Sequence, residues 1–179
     1  MSLKLKETDP HFIATIARGS SDHAAGFLKY AVELQLGLPV ASLGPSIASV
    51  YGAQLKMPRS ATIAISQSGK SPDIVAMAEN ARRGGSLTLA LTNVISSPLA
   101  KTCDLALDIA AGPELSVAAT KTFVNSVVAG LLLVMGIAKD RNLAEAMFTL
   151  PEALAKAVTV DWSPLCAALD GRSSLYILG

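Results

Sequence analysis

The densest concentration of residues that could do chemistry is the stretch Ser66-Gln67-Ser68-Gly69-Lys70-Ser71-Pro72-Asp73. The apolar residues 61–65 before it predict a buried strand, and an apolar stripe after it predicts a helix. Ser71 suits the N-cap of that helix, Pro72 suits its first position, and Asp73 complements its dipole. Such a turn directs backbone N–H groups and three serine hydroxyls toward one point. It predicts a phosphate site that needs no metal, cofactor or obligatory cation, and an ordinary strand-to-helix loop with a serine cap is the alternative.

A second hydroxyl-rich turn, Arg18-Gly19-Ser20-Ser21, follows a predicted first strand at residues 12–17. A helix begins there with Asp22 and His23 in its first turn, and Gly37 is placed to cap its C-terminus. In parallel sheets, ligands bind beyond the carboxyl ends of the strands. If the first and third strands flank the point where the strand order reverses, the two turns face one ligand from two sides.

Apolar strands and helices alternate along the chain. Five strands are predicted, at residues 12–17, 39–43, 61–65, 87–91 and 105–109. Short loops between alternating elements imply a parallel sheet with right-handed crossovers. The predicted fold class is therefore α/β, a three-layer αβα sandwich with a five-stranded parallel sheet. Longer helical stretches are predicted at residues 46–55, at about residues 117–139, and at residues 143–158 with an interruption near Pro151.

The end of the chain, residues 175–179, is an apolar segment that runs into glycine, as residues 12–19 do. A strand without its crossover helix has no obvious role in the first sheet. We therefore predict the first half of a tandem repeat, with a first domain over residues 1–140, a helical linker over 141–171 and the first strand of a truncated second domain over 172–179. A sixth strand at the edge of the same sheet is the alternative.

The composition restricts the partners. With a formal net charge of +1 and 16% charged residues, the chain offers no electrostatic case for nucleic acid or for a membrane surface. Cys103 and Cys166 lack metal or redox spacing and are expected to be buried thiols of a reducing, cytoplasmic setting. The polar start predicts no signal peptide. The most apolar run, residues 127–138, is shorter than the ~20 residues that span a bilayer, which favours a core or interface helix.

Three segments resemble motifs of the sugar isomerase (SIS) domain family. Ala17-Arg18-Gly19-Ser20-Ser21-Asp22-His23-Ala24 resembles its Cys-Gly-Thr-Ser-Tyr-His-Ala turn, and Ser66-Gln67-Ser68-Gly69-Lys70-Ser71 resembles its Ser-Gln-Ser-Gly-Glu-Thr phosphate loop. Ala111-Gly112-Pro113-Glu114-Leu115-Ser116-Val117-Ala118-Ala119-Thr120-Lys121 is similar to its Ala-Gly-Pro-Glu-x-x-Val-Ala-Ser-Thr-Lys segment. The branch it most resembles is the isomerase half of glucosamine–fructose-6-phosphate aminotransferase, together with SIS-type glucosamine-6-phosphate deaminases. The resemblance implies a flavodoxin-like SIS domain.

The resemblance also implies which residues form the site. The family's phosphate cradle falls on Ser66, Gln67, Ser68, Gly69 and Ser71. Its sugar-contacting pair falls on Ser20 and Ser21, and a residue whose backbone lines the sugar pocket falls on Val117. The chain departs from the family pattern at Lys70, Ser71 and Ala119, and the last of these removes a hydroxyl.

Catalysis is expected from outside this chain. The family's tandem proteins carry the catalytic glutamate in the second repeat, so the resemblance implies no catalytic residue here. Proton transfer between C1 and C2 of a sugar needs a positioned base. Glu114 is a candidate, although its place at a helix entrance favours dipole complement and a domain contact; Glu33 is expected to be solvated or paired. His23 is expected to brace its turn, and Lys121 either contacts the site or makes a carbonyl or packing contact.

The implied function is aldose–ketose isomerisation and/or deamination of an amino-sugar or hexose 6-phosphate. The full-length protein is expected to be a homodimeric enzyme without a cofactor, and this chain alone is expected to be inactive. Two alternatives remain. The first is a sugar-phosphate sensing module that binds without turnover. The second is a flavodoxin-like FMN binder, although that class stacks its flavin on aromatic residues, which make up 4% of this chain.

Overall fold

A computed structural model describes residues 2–115 and 118–176. The chain divides into two compact units, Met1–Lys139 and Asp140–Gly179. The elements of the first unit are, in chain order, α1 (Ser2–Thr8), β1 (Phe12–Ile16), α2 (Ser20–Leu36), β2 (Val40–Ser42), α3 (Ser46–Ser49), β3 (Ser60–Ile65), α4 (Pro72–Arg83), β4 (Leu87–Thr92), α5 (Pro98–Thr102), β5 (Leu105–Asp108) and α6 (Thr120–Ala138).

The sheet has five parallel strands in the order β2-β1-β3-β4-β5. This is the flavodoxin-like order, in which the order of the strands across the sheet reverses at the point between β1 and β3. Helix α6 packs against α1 and α2, while α4 packs against α3 and α5. The two groups of helices form the outer layers, and the predicted three-layer αβα fold with a five-stranded parallel sheet is confirmed.

The core is deepest around β3, whose six residues are all buried. Its β-branched and small side chains suit a strand that is covered on both faces. A buried cluster joins β1, β3 and β4 to α4 and α5, and its members are Ile16, Ala64, Ile74, Met77, Ala78, Ala90, Leu99 and Cys103. This cluster lies directly below the ends of β1 and β3 and supports the turns that follow them.

Several element boundaries differ from the prediction. Helix α3 ends at Ser49 rather than near Leu55, and Ser46 is its first residue rather than its cap. The buried side chain of Asn80 explains the early end, because it donates to the carbonyl of Ala53 at 2.8 Å and accepts from the N–H of Leu55 at 3.1 Å. Those bonds hold the segment in a non-helical path. Helix α1 was not anticipated from the sequence.

Helix α6 corrects the expectation that its apolar run is too short to cross a membrane. The helix has 19 residues and a mean hydropathy of 1.7, so by length and composition alone it could span a bilayer. Core helices meet the same test. One face of α6, which includes Ala129, Gly130, Leu133 and Val134, is buried, and α6 packs against α2. The buried face agrees with the predicted core or interface helix, although the whole helix is longer than the unbroken apolar run on which the prediction rested.

The second unit contains α7 (Arg141–Val158) and α8 (Ser163–Leu169). Cys166, on α8, is exposed, so the prediction that both cysteines are buried is correct for Cys103 and wrong for Cys166. Asp140 caps α7, because its Oδ1 accepts from the N–H groups of Asn142 and Leu143 at 2.7 and 3.2 Å. Helix α7 continues through Pro151, since an internal proline removes one hydrogen bond and can bend a helix without ending it. Leu175 and Tyr176 form no strand, and residues 177–179 of the predicted final strand lie outside the described residues.

Candidate functional site

A polar cavity of about 180 Å³ opens where β1 and β3 end. The two strands are adjacent and in register from Phe12 opposite Ser60 to Ile16 opposite Ala64, so the turns that follow them meet at one edge of the sheet. Both turns contribute to the wall, which is lined by Arg18, Ser21, Ile65, Ser66, Gln67, Ser68, Ser71 and Ile74. The strand order therefore brings the two turns together. The sequence could predict this only on the condition that the first and third strands flank the point where the strand order reverses.

The turn at residues 66–71 is held by the neighbouring strand β4 and by α5. The carbonyl of Gln67 accepts from the N–H of Asn93 at 3.1 Å and from Oγ1 of Thr92 at 3.3 Å. The carbonyl of Gly69 accepts from the N–H of Leu99 at 3.0 Å. Because these bonds fix the backbone from outside the turn, its polar groups are positioned before any ligand arrives.

Gly69 is required by the geometry of this turn. Its φ is +60°, and a Cβ at this position would collide with the side chain of Ser97. Ser97 is itself fixed, since its hydroxyl caps α5 by accepting from the N–H of Ala100 at 3.3 Å. Any other residue would therefore meet both a strained backbone and an immovable neighbour.

The three serines of the turn leave donors for a ligand. Oγ of Ser66 accepts from the N–H of Gly69 at 3.2 Å, and Oγ of Ser68 accepts from the N–H of Lys70 at 3.3 Å. Each oxygen acts as an acceptor, so each hydroxyl hydrogen can be donated to an anion. Ser71 occupies the N-cap position of α4, but its side chain makes no capping bond. Pro72 has no N–H, and the N–H of Val75 bonds to the carbonyl of Ser71 at 3.1 Å. The N–H groups of Asp73 and Ile74 are therefore the donors that this helix terminus can offer to an anion.

A cation that the sequence interpretation did not include stands at the cavity wall. Nη1 of Arg18 lies 2.6 Å from Oδ2 of Asp73, in an ion pair that joins the turn after β1 to the first turn of α4. The other carboxylate oxygen of Asp73 is buried and has no hydrogen-bond partner among the described residues. The sequence does show a basic residue after the first strand. It does not show the ion pair, because the partner is 55 positions away in the chain.

The residues implied as sugar contacts separate into two places. Ser21 lines the polar cavity. Ser20, the first residue of α2, instead lines a second cavity of about 270 Å³ with Ala118, Ala119, Thr120 and Phe123. Val117 lies outside the described residues. Ala119, where the family pattern has a serine, thus faces the same cavity as Ser20.

Glu114 is engaged in the local structure. Its Oε2 accepts from the N–H and the hydroxyl of Thr122, both at 3.1 Å, at the start of α6. Nζ of Lys121 donates to the carbonyl of Pro113 at 2.7 Å. The side chain of Asn93 holds the same loop by accepting from Ala111 and donating to Gly112. These contacts tie the loop at residues 110–114 to β4 and α6.

Neither Glu114 nor a histidine lines the polar cavity, as far as the described residues show. His23 is exposed, and its side chain makes no hydrogen bond with the described part of the chain, so the expected bracing bond is not seen. Glu33 is paired, because its Oε1 lies 3.3 Å from Nζ of Lys29 and accepts from the N–H of Val40 at 3.1 Å. The cavity offers hydroxyls, an amide and a guanidinium, which suit anion binding.

Comparison with known proteins places this geometry in a family. The model of the SIS domain matches residues 8–136. A crystal structure from Silicibacter pomeroyi, assigned as a phosphosugar isomerase, has 57% identity and a TM-score of 0.92 over 96% of this chain and 52% of its own. The C-terminal domain of glucosamine–fructose-6-phosphate aminotransferase from Francisella tularensis has 26% identity and a TM-score of 0.74, over 83% of this chain and 44% of its own.

A full-length relative is similar over a smaller share of its length. Glutamine–fructose-6-phosphate aminotransferase from Halobacterium salinarum is 38% identical over 167 residues, which are 86% of this chain and 27% of that protein. The chain therefore spans about half of the Silicibacter protein and about a quarter of this aminotransferase. The matched residues contain the whole sheet and both hydroxyl-rich turns, and the chain belongs to the SIS domain family.

Proposed function

We propose that the polar cavity binds the phosphate group of a sugar phosphate, with Ser66, Gln67, Ser68, Gly69 and Ser71 as its cradle. The observation that carries this proposal is the convergence of two serine-containing turns and the N-terminus of α4 on one cavity. Hydroxyl hydrogens, backbone N–H groups and the positive end of a helix dipole all favour an anion. The sugar extends from there toward Ser20, Ser21 and Val117.

An amino-sugar or hexose 6-phosphate is the proposed ligand. Two of the relatives are named for fructose 6-phosphate or glucosamine–fructose-6-phosphate aminotransfer, and a third is assigned as a phosphosugar isomerase. These names support a six-carbon sugar phosphate and chemistry at C1 and C2. We propose aldose–ketose isomerisation and/or deamination as the reaction of the full-length protein.

The proposed arrangement is a tandem of two SIS domains, with residues 1–140 as the first, 141–171 as a helical linker and 172–179 as the start of the second. The match over 52% of the Silicibacter structure supports a partner domain of similar size. The polar cavity contains no proton-accepting group among its described lining residues. The catalytic base is therefore proposed to come from the second domain.

The same observation supports a second candidate, a sensing module that binds a sugar phosphate without turnover. Binding and orientation need only the cradle, whereas turnover needs a base. The two candidates make the same prediction for affinity and opposite predictions for proton exchange in the full-length protein.

Binding is tested by calorimetric titration of the 179-residue chain with glucosamine 6-phosphate, with glucosamine as the matched ligand that lacks the phosphate. We expect binding of the phosphorylated sugar and at least about tenfold weaker binding of glucosamine, since a hydrogen bond to a charged group contributes about 1.5–3 kcal/mol. Equal affinity for the two sugars, or binding of neither, would contradict the proposed function.

Catalysis is tested by ammonia release, ketose formation and solvent deuterium uptake at the carbon next to the carbonyl. We expect none of these from the 179-residue chain, because a positioned base contributes about 10²–10⁴-fold and the cavity lacks one. The Glu114→Gln variant is the matched control. Enzyme-like exchange by the wild-type chain that is lost in Glu114→Gln would place the base on this chain after all.

We also propose a homodimer in a cytoplasmic setting. The helix α6 is apolar around most of its circumference, and Leu132 on it remains about half exposed, at 46%. We propose that this apolar helix packs against a second copy or a second domain. Light scattering should show a dimer, and a stable monomer that binds no hydrophobic dye would overturn this part of the proposal.

A further inference from the structure

We propose that Arg18 is a specificity-determining residue of the phosphate cavity: its guanidinium, held beside the cradle by Asp73, makes the site prefer a phosphorylated sugar over a neutral one. The inference rests on the proposed function and deepens it. The sequence predicts a cradle that needs no cation. The structure nevertheless places a cation, Arg18 from the turn after β1, beside the cradle.

The position of Arg18 is set by two independent constraints. It follows β1, whose neighbour is β3, so its backbone lies beside the turn at residues 66–71. Its guanidinium is paired with Asp73 at 2.6 Å. Arg18 lines the polar cavity and also an adjoining cavity that Ser46, Ser49 and Asp73 help to line. Arg18 thus belongs to the walls of both cavities, and Asp73 belongs to the wall of the adjoining one.

Asp73 makes a cation at this position necessary for anion binding. Asp73 lies between Ser71 and Ile74 in the chain. Both of those residues line the polar cavity, and Asp73 itself lines the adjoining one. A phosphate in the cavity would be repelled by an unpaired carboxylate so close to it. The Oδ1 atom is buried without a partner among the described residues, so Arg18 is the group that offsets this negative charge.

Arg18 retains the capacity to contact a ligand. A guanidinium has five N–H donors, and the structure engages Nη1 with Asp73. The side chain is 66% exposed at the cavity wall, so the remaining donors can reach a phosphate without displacing protein atoms. Arginine donors match phosphate oxygens in pairs, which a lysine does less well.

The test is a titration series with glucosamine 6-phosphate at low and high salt. We expect Arg18→Gln to weaken binding about 10- to 100-fold, the range for losing a hydrogen bond between charged groups, and to make binding less sensitive to salt. Arg18→Lys should recover part of the affinity. The double variant Arg18→Gln/Asp73→Asn should bind more tightly than Arg18→Gln alone, because it also removes the repelling carboxylate.

Arg59→Gln is the matched control. Arg59 is likewise an exposed arginine in an ion pair, 2.9 Å from Asp9, but it precedes β3 and so lies at the opposite edge of the sheet. Its replacement should leave affinity and salt dependence unchanged. If the wild-type chain binds the ligand and Arg18→Gln matches it in affinity and salt dependence, the role of Arg18 is refuted while the proposed function stands. If the wild-type chain binds no sugar phosphate, both are overturned.

Discussion

The two hydroxyl-rich turns are built alike but differ in the contacts that the rest of the fold makes with them. Each follows a buried parallel strand, contains a glycine with positive φ (+56° at Gly19 and +60° at Gly69) and leads into a helix. The turn after β3 is held by β4 and α5 through the carbonyls of Gln67 and Gly69. In the turn after β1, Arg18 and Ser20 are exposed, and a Cβ added to Gly19 would meet nothing within 4 Å.

The difference follows from the place of each strand in the sheet. Strand β3 lies between β1 and β4, and β4 extends alongside it to Thr92, which bonds the following turn. Strand β1 has the short β2 on its other side. The turn after the central strand β3 is therefore preorganised, whereas the turn after β1, which lies nearer the edge of the sheet, can change its conformation. We propose that the turn after β3 binds the phosphate rigidly and that the turn after β1 discriminates between ligands.

The largest effect is expected from a substitution that distorts the turn after β3. Gly69→Ala should lower the free energy of unfolding by about 2–5 kcal/mol, because it combines a strained left-handed backbone with overpacking against Ser97. It should also abolish measurable binding of glucosamine 6-phosphate. Urea unfolding and calorimetric titration measure the two effects.

Gly19→Ala is the matched control for this change. It has a similar positive φ, with ψ of −136°, but open space around the new Cβ, so only the cost of backbone strain, about 1–3 kcal/mol, is expected. If Gly69→Ala and Gly19→Ala lost equal free energy of unfolding, the distinction between a turn that neighbouring elements hold and one that they do not would be refuted.

A smaller effect is expected from single hydroxyls. Ser66→Ala and Ser68→Ala should each weaken binding of glucosamine 6-phosphate by about 1.5–3 kcal/mol, the contribution of a hydrogen bond to a charged group. The temperature of thermal unfolding should change little in Ser68→Ala and should fall more in Ser66→Ala, because the buried hydroxyl of Ser66 accepts from the N–H of Gly69. Ser20→Ala, in the adaptable turn and in the other cavity, should weaken binding less than either. A larger loss from Ser20 than from Ser66 would reverse the assignment of roles to the two turns.

The smallest effect is a change in stability that is confined to alkaline pH. It comes from the core that packs beneath the turn after β3. Cys103 packs in the cluster that contains Ile74, and burial raises the pKa of its thiol from 9.0 to about 11, opposed by a hydrogen bond with Thr88. The folded state thus favours the neutral thiol. Its contribution to stability is complete below about pH 9 and is lost as the pH rises through about 11.

This thiol also reports on the turn above it. At neutral pH, a thiol reagent should label exposed Cys166 quickly and buried Cys103 slowly. Labelling of Cys103 should be faster in Gly69→Ala than in Gly19→Ala. Cys103→Ala identifies the slow phase and should lose the stability change between pH 9 and 11. Fast labelling of Cys103 in the wild-type chain would contradict the burial argument.

Local physics accounts for the features that the sequence determined by itself. Alternating apolar segments and helix caps act within a few residues, so the five parallel strands, Pro72 in the first turn of α4 and the left-handed cap at Gly37 could all be predicted. The serine-rich turn is also local, because its residues are consecutive. Its composition was sufficient to suggest a phosphate site before any strand order was known.

Only the tertiary structure decided the features that join distant parts of the chain. Strand order places the turn after β1 beside the turn after β3, and it brings Arg18 to Asp73. The same long-range packing ends α3 through Asn80 and separates Ser20 from Ser21. None of these follows from neighbouring residues, because each depends on which strands and helices pack together. The charge of the cavity is for that reason a property of the fold.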